Sequence, residues 1–395
     1  MSLLETRIRD IAIHVVQIPR HYVTHVAEGG SDDGKAASLY YVLEFFGDDS
    51  QVGLGEISDI EPEWQPPARE SLCELLKQAL VGLRLLDEAT MRNRLEAVLD
   101  TITHPELRRL TSCAVEMAWL DLTGRCTGLP VSHLLGGSLR KHVPVSWVAY
   151  IRSTQEVVDE VLMRREQGFE AFKLKVGLDP DADDDRIHQI REKLGSEVHL
   201  RVDASGAWGP DEARSRLQRL GDLGIDAVET PLSAVARSIA KDRPDLIDAD
   251  PDTPARQLAQ LRSEVSVPII EHVGDFDDRF TLALLAHGAV DAINVIPAQS
   301  GGLRRARRLL QLAESAGVPA LLGSTVELGI GTAAALHVAA ASGAVTWASD
   351  LVGPGLLTAD VIEPATSYEA GGLRVPEGPG LGVTLSKAAL EQWSA

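Results

Sequence analysis

Phe172-Lys173-Leu174-Lys175-Val176-Gly177 ends a short apolar run with two lysines one residue apart. A strand alternates its side chains between faces, so residues two apart project the same way and both ammonium groups enter one site. Burying two like charges together is costly unless an anion or a proton-transfer role compensates. Downstream, His199-Leu200-Arg201-Val202-Asp203 and Asp226-Ala227-Val228-Glu229 are short β-prone runs, each closed by a carboxylate. Singly, either acid reads as a helix cap or a solvated strand end. At the ends of successive strands, the two acids offer what a hard cation such as Mg²⁺ takes, because it binds through carboxylate oxygens.

The elements that must position these groups follow a regular beat. Residues 143–149, 171–175, 198–202, 227–229, 267–271, 292–295 and 318–322 read as strands, with a weaker eighth near 345–347. The intervals carry apolar residues at helical spacing, as in Val157, Val161 and Leu162. Repeated βα units imply parallel strands with right-handed crossovers, and this many favour a closed barrel whose site lies at the strand C-termini. Earlier in the chain, residues 7–19 and 37–46 read as antiparallel strands with a turn at Gly47-Asp48-Asp49-Ser50 before Val52, followed by helices over 67–86 and 105–123. The fold class is therefore α/β: a modified TIM-type (β/α) barrel over 138–353, an N-terminal α+β capping domain over 1–137, and a C-terminal segment, 354–395, that packs back on the cap. Residues 233–253 exceed an ordinary connection and read either as a lid or as disordered surface.

Length and charge exclude several classes. A chain of 395 residues with 44% hydrophobic content suits a barrel plus a second domain. Lys and Arg total 38 against 58 Asp and Glu, a formal charge of -20, which argues against nucleic acid because phosphate binding requires a basic face. Cys73, Cys113 and Cys126 lack metal-type spacing and are too few for a disulfide framework, so a reducing cytoplasm is expected. The N-terminus lacks the basic and apolar regions of a signal peptide, and no apolar run is long enough to span a bilayer.

The chain resembles the enolase superfamily, in its mandelate racemase and muconate lactonizing enzyme branch, over nearly its whole length. Ala114-Val115-Glu116-Met117-Ala118-Trp119 with Leu134-Leu135-Gly136-Gly137 is similar to that family's domain junction, and Lys173-Leu174-Lys175 to its Lys-x-Lys motif. Arg201-Val202-Asp203-Ala204 and Val228-Glu229-Thr230-Pro231 resemble its metal strands; Gly323-Ser324-Thr325 and Asp350-Leu351-Val352-Gly353-Pro354 resemble a muconate-type ending. The resemblance implies Mg²⁺ gripping a substrate carboxylate, Lys175 removing the proton on the adjacent carbon, and Lys173 neutralising the carboxylate and, as a second cation nearby, bringing Lys175 toward useful basicity. A homo-oligomer and a small-molecule carboxylate substrate are implied in the same way. Pocket loops would be 20–36, with His21, Tyr22 and His25, and 55–64; Ser324, Thr325 and Glu327 would complete the substrate contacts.

Two departures separate the chain from this pattern. After Val267-Pro268 comes Ile269-Ile270-Glu271-His272, so an acid arrives early: Glu271 is expected as third metal ligand beside Asp203 and Glu229, with His272 as substrate contact or second catalyst. The competing assignment makes His272 the ligand and Glu271 its partner. On the sixth strand, Ile296 stands where relatives with a base on the opposite face carry lysine. One base then remains, which favours syn elimination of water or syn cycloisomerisation. The alternatives are an epimerase using Lys175 and His272 on opposite faces, and a non-catalytic binding protein on a decayed scaffold.

Overall fold

In a computed structural model, residues 5–28, 31–233 and 250–395 are described. Three antiparallel strands open the chain: β1 (Asp10–Glu28), β2 (Ser31–Phe46) and β3 (Val52–Ile57), in that order. The hairpin is much longer than its apolar pattern suggested, because the segment expected as a loop at 20–36 continues the β1–β2 ladder. That ladder is irregular between Pro19 and Thr24. Helices α1 (Arg69–Leu80), α2 (Glu88–Leu99) and α3 (Pro105–Thr127) follow, with the short α4 (Val131–Leu134). Sheet and α3 approach closely: a Cβ at Gly53 or Gly55 would sit 2.2 Å from the Ala118 carbonyl or 2.1 Å from that of Ala114, so only glycine permits the contact. Asp121 on α3 secures it by accepting from the Leu54 N–H at 2.8 Å.

The barrel strands after β4 (His142–Pro144) are β5 (Ser146–Ala149), β6 (Ala171–Lys175), β7 (His199–Asp203), β8 (Ala227–Glu229), β9 (Ile269–His272), β10 (Ala292–Val295) and β11 (Ala320–Leu322), all parallel and neighbours in chain order. The eighth place is taken not by a full strand but by isolated bridges from Val345 to Ala320 and from Ser349 to Val145, which join the last strand back to the first.

Helices α5 (Thr154–Glu166), α6 (Pro180–Leu194), α7 (Pro210–Asp222), α8 (Asp252–Glu264), α9 (Asp278–Ala286), α10 (Leu303–Ser315) and α11 (Gly329–Ala340) lie between these strands or after them. Their starts are written locally: Ser153 and Glu156 form a capping box, and Asp179 accepts from two N–H groups ahead of Pro180. On α10, Leu303, Ala306, Leu309, Leu310 and Ala313 make one buried stripe. Burial of each such leucine contributes about 1.5–3 kcal/mol.

Beyond α12 (Gly353–Leu356), the tail supplies β12 (Ile362–Glu363), β13 (Gly372–Arg374), β14 (Thr384–Leu385) and α13 (Lys387–Trp393). β13 pairs with β4, while Asp121 and Arg125 of α3 bond the Leu381 N–H and the Val383 carbonyl. The possible lid at 233–253 lies, for residues 234–249, outside the described residues. No described helix is long and apolar enough to cross a membrane.

Candidate active site

Strand alternation builds the site in layers. Ala227, Ile270, Ala292 and Leu321 pack together inside the barrel as an apolar plug. Two residues further along the same strands and just beyond, the positions are Glu229, His272, Asn294 and Gly323, and all four line one cavity of about 260 Å³. Lys173, Lys175, Asp203 and Ser205 face the same space from β6 and β7, where Lys175 pairs with Asp203 and Asp203 with Glu229 across the sheet. The two lysines and the first two acids thus share one wall, at the strand C-termini.

The ionic order is specific. Lys175 Nζ lies 2.6 Å from Asp203 Oδ2 and 3.4 Å from Ser205 Oγ. Lys173 Nζ stands among three carboxylates, 2.7 Å from Asp350 Oδ2, 3.2 Å from Glu229 Oε2 and 3.4 Å from Asp203 Oδ2. Burial would lower the Lys173 pKa, but the charges of Asp350, Glu229 and Asp203 outweigh it and hold the ammonium above the usual lysine range. Asp203 shows the converse: burial pushes it up, and the Lys175 and Lys173 charges hold it below the usual carboxylate range. Asp350, Arg201 and Asn294 were given no role from the sequence. Arg201 and Asn294 sit two residues before Asp203 and Ile296, so polarity at period 2 was the signal available. Asp350 reaches the site through its N–H bond to the Leu322 carbonyl at the end of β11.

Glu271, expected as third ligand, is turned out of the cavity. It lies between Ile270 and His272 on a strand, so its side chain takes the opposite face, where Oε1 accepts from Thr230 Oγ1 at 3.1 Å and from the His272 N–H at 3.0 Å. Burial pushes its pKa up to about 8. His272 is the side chain that β9 presents to the cavity; its Nε2 is 3.2 Å from Asp275 Oδ2, and Asp275 Oδ1 is 3.6 Å from Arg109 of α3. Burial lowers the His272 pKa, and the Asp275 carboxylate more than reverses this.

The cap contributes different residues from those expected. His21 is exposed, His25 is half-buried, and neither lines the cavity. Tyr22 turns to the barrel helix α5, donating to Glu160 at 2.9 Å with the Arg152 guanidinium 3.7 Å over its ring. Arg20, Thr24, Val26 and Lys35 line the cavity instead, together with Ser58, Asp59 and Trp64 from the expected second loop. Arg20 Nη2 holds both Asp59 oxygens at 2.8 and 3.0 Å, and Lys35 Nζ donates to Asp59 at 2.9 Å. Ser324 and Thr325 line the cavity, whereas Glu327 sits behind them, accepting from both hydroxyls and from the Thr325 N–H. Of the seven non-glycine residues with positive φ, four, Asp59, Ser205, Thr230 and Val326, line this cavity, so the strained backbone of the described residues gathers here.

The resemblance drawn from the sequence implies a divalent metal, and the donors here can be tested against one. Magnesium takes an all-oxygen set. This chain offers Asp203 and Glu229 but presents imidazole at the third strand, and the three carboxylates that do converge, Asp203, Glu229 and Asp350, meet on the Lys173 ammonium; among the described residues no three His, Cys, Asp or Glu form a group that could hold a metal ion. Asp203, Glu229 and Glu271 therefore do not form the expected three-carboxylate set.

Over residues 156–246 and 248–389 the sequence matches the family described as "Enolase C-terminal domain-like". It is 31% identical over 292 residues to muconate cycloisomerase 1 of Rhodococcus opacus, covering 72% of each chain. It is also 31% identical over 343 residues to L-Ala-D/L-Glu epimerase of Bacillus subtilis (strain 168), covering 85% of this chain and 86% of that one. The crystal structure of 2-chloromuconate cycloisomerase from Rhodococcus opacus 1CP superposes with a TM-score of 0.82 at 26% identity, covering 98% of this chain and 100% of that chain. The lysine pair at a barrel mouth, the capping sheet and these matches agree: the chain belongs to the enolase superfamily and is an enzyme of its mandelate racemase and muconate lactonizing branch.

Proposed function

We propose that the protein removes the proton α to the carboxylate of a small acid, with Lys175 as the base, and completes a syn elimination or cycloisomerisation. The Cα–H bond breaks, its proton passes to Lys175 Nζ, and the electron pair moves into the carboxylate to give an enediolate. In elimination that pair then returns to form the double bond as the Cβ–O bond breaks, the oxygen leaving with a proton as water. In cycloisomerisation the same steps run in reverse, with an internal carboxylate forming the C–O bond and Lys175 giving its proton to Cα. The observation that carries this reading is the placement of Lys175 in the cavity beside Asp203, Lys173 and Glu229, with apolar Ile296 where a second lysine would stand. Asp203, at 2.6 Å, fixes the Lys175 nitrogen in position. Ser324 and Thr325, held by Glu327, are placed to orient the substrate. Magnesium carries no step in this scheme, because the side chains do not form its ligand set.

A second reading, epimerisation with His272 on the opposite face, is favoured by the His272–Asp275 pair in the cavity and by similarity to an epimerase. Solvent deuterium exchange separates the two, with muconolactone, L-Ala-L-Glu and an N-succinyl amino acid as probes. Incorporation with retained configuration, lost in Lys175→Ala, supports the first; incorporation with inversion, lost in His272→Asn, supports the second. No Lys175-dependent incorporation with any α-substituted acid would sink both.

A further inference from the structure

Each carboxylate around Lys173 is tied at both oxygens. Asp203 Oδ1 accepts from the Ser205 N–H at 2.8 Å while Oδ2 faces the two lysines. Glu229 Oε1 accepts from Asn294 at 2.8 Å while Oε2 faces Lys173 at 3.2 Å. Asp350 Oδ1 meets Arg201 at 2.7 Å while Oδ2 meets Lys173 at 2.7 Å. Three anions, Asp203, Glu229 and Asp350, are thus matched by three cations, Lys173, Lys175 and Arg201. The Lys173 side chain is only 5% exposed, so water does not provide this compensation.

A divalent ion ligated by Asp203 and Glu229 would have to lie against that buried ammonium, and the third strand would meet it with His272, already paired with Asp275. Like charges packed in a desolvated site oppose one another, and a buried cation is tolerated only where its anions remain with it.

We infer that Lys173 is the resident cation of this site, taking the place of the divalent ion that relatives typically bind. The inference rests on the proposed proton abstraction for its catalytic meaning: charge developing on the enediolate oxygens is met by a fixed ammonium, preorganised by Asp350 and Glu229. Because that ammonium belongs to the chain, the reaction does not depend on an added metal.

The test is a thermal-unfolding titration of chelator-treated full-length protein with millimolar Mg²⁺, Mn²⁺ and Zn²⁺. An ion at ~100 times its Kd would raise the folded-to-unfolded ratio about 100-fold and lift Tm visibly. The expected result is no Mg²⁺- or Mn²⁺-dependent rise for the wild type. Lys173→Met, which removes the charge but keeps the bulk, leaves one buried negative charge in excess, with Asp203 still paired to Lys175 and Asp350 to Arg201, and is expected to acquire an ion-dependent rise. If that variant does not fold, the wild-type titration still decides. A Tm rise of the wild type with Mg²⁺, or α-hydrogen exchange that chelation abolishes and Mg²⁺ restores, overturns the inference and leaves the role of Lys175 standing. Exchange that survives Lys175→Ala removes the base and leaves the ion measurement intact.

Discussion

Lys175 and Asp203 are direct neighbours across β6 and β7, and the Lys175 Nζ to Asp203 Oδ2 distance of 2.6 Å is the shortest of the four lysine–carboxylate contacts on that wall. This contact fixes the position of the Lys175 nitrogen in the cavity. Lys175→Ala is expected to lower α-hydrogen exchange by about 10²–10⁴-fold, the usual contribution of a positioned base. Stopped-time deuterium incorporation followed by mass spectrometry checks this.

Asp350 bridges Arg201 and Lys173, and all three side chains are at most 5% exposed. Asp350→Asn removes one partner of two buried cations. Breaking such a network costs about 3–5 kcal/mol because the remaining charge is uncompensated. Urea unfolding at neutral pH should show that loss as a lower midpoint with an unchanged slope. A loss under roughly 1 kcal/mol, the size of a surface pair, would mean that the triad contributes little.

Glu271 makes stability fall as pH rises. Burial pushes its folded pKa up to about 8 from the ordinary 4.5, and its Oε2 is buried without a partner among the described residues, as suits a protonated carboxyl. Between those two values the folded state holds a proton that the unfolded chain has released, so the stabilisation is complete below the lower value and lost on passing the upper one. Glu271→Gln should flatten this slope and gain on the order of 1–4 kcal/mol over wild type above pH 8. Unfolding midpoints across pH 5 to 9 measure it, and parallel curves for the two proteins would refute it.

Ile296 occupies the cavity wall opposite the lysine pair, 8% exposed and close to Gly323. Ile296→Lys adds a base on that face at a stability cost of about 1–3 kcal/mol for the buried polar group. If the wild type works from one face only, the variant should begin to scramble the configuration of substrates that it exchanges. Chiral chromatography of the recovered acid reads the outcome; unchanged enantiomeric purity together with full exchange would show that position 296 does not reach the carbon.

Legibility from the residues was uneven, and the reason is local. The barrel strands could be read because each is a short β-prone run between helical stretches; 171–175, 227–229 and 292–295 match the observed spans. Helix α2 is not among the expected helices, although Met91, Leu95, Val98 and Leu99 stand at helical spacing and make its buried stripe. In the cap, Tyr22 and His25 were chosen for their chemistry, but the irregular ladder between Pro19 and Thr24 sends Arg20 and Thr24 to the cavity and Tyr22 to α5.

Parity along a strand is a property of the chain: once Lys173 faces inward, so does Lys175, and Glu271 and His272 can never face the same way. Which of that last pair looks inward is not a property of the chain, because Ile269 and Ile270 are apolar on both faces of a strand buried on both sides. Only the register of β9 between β8 and β10 chose His272. Likewise the acids at 203, 229 and 350 are each visible, but their convergence on one ammonium requires the ring to close, since no local pattern brings Asp350 to residues 121 positions earlier or more.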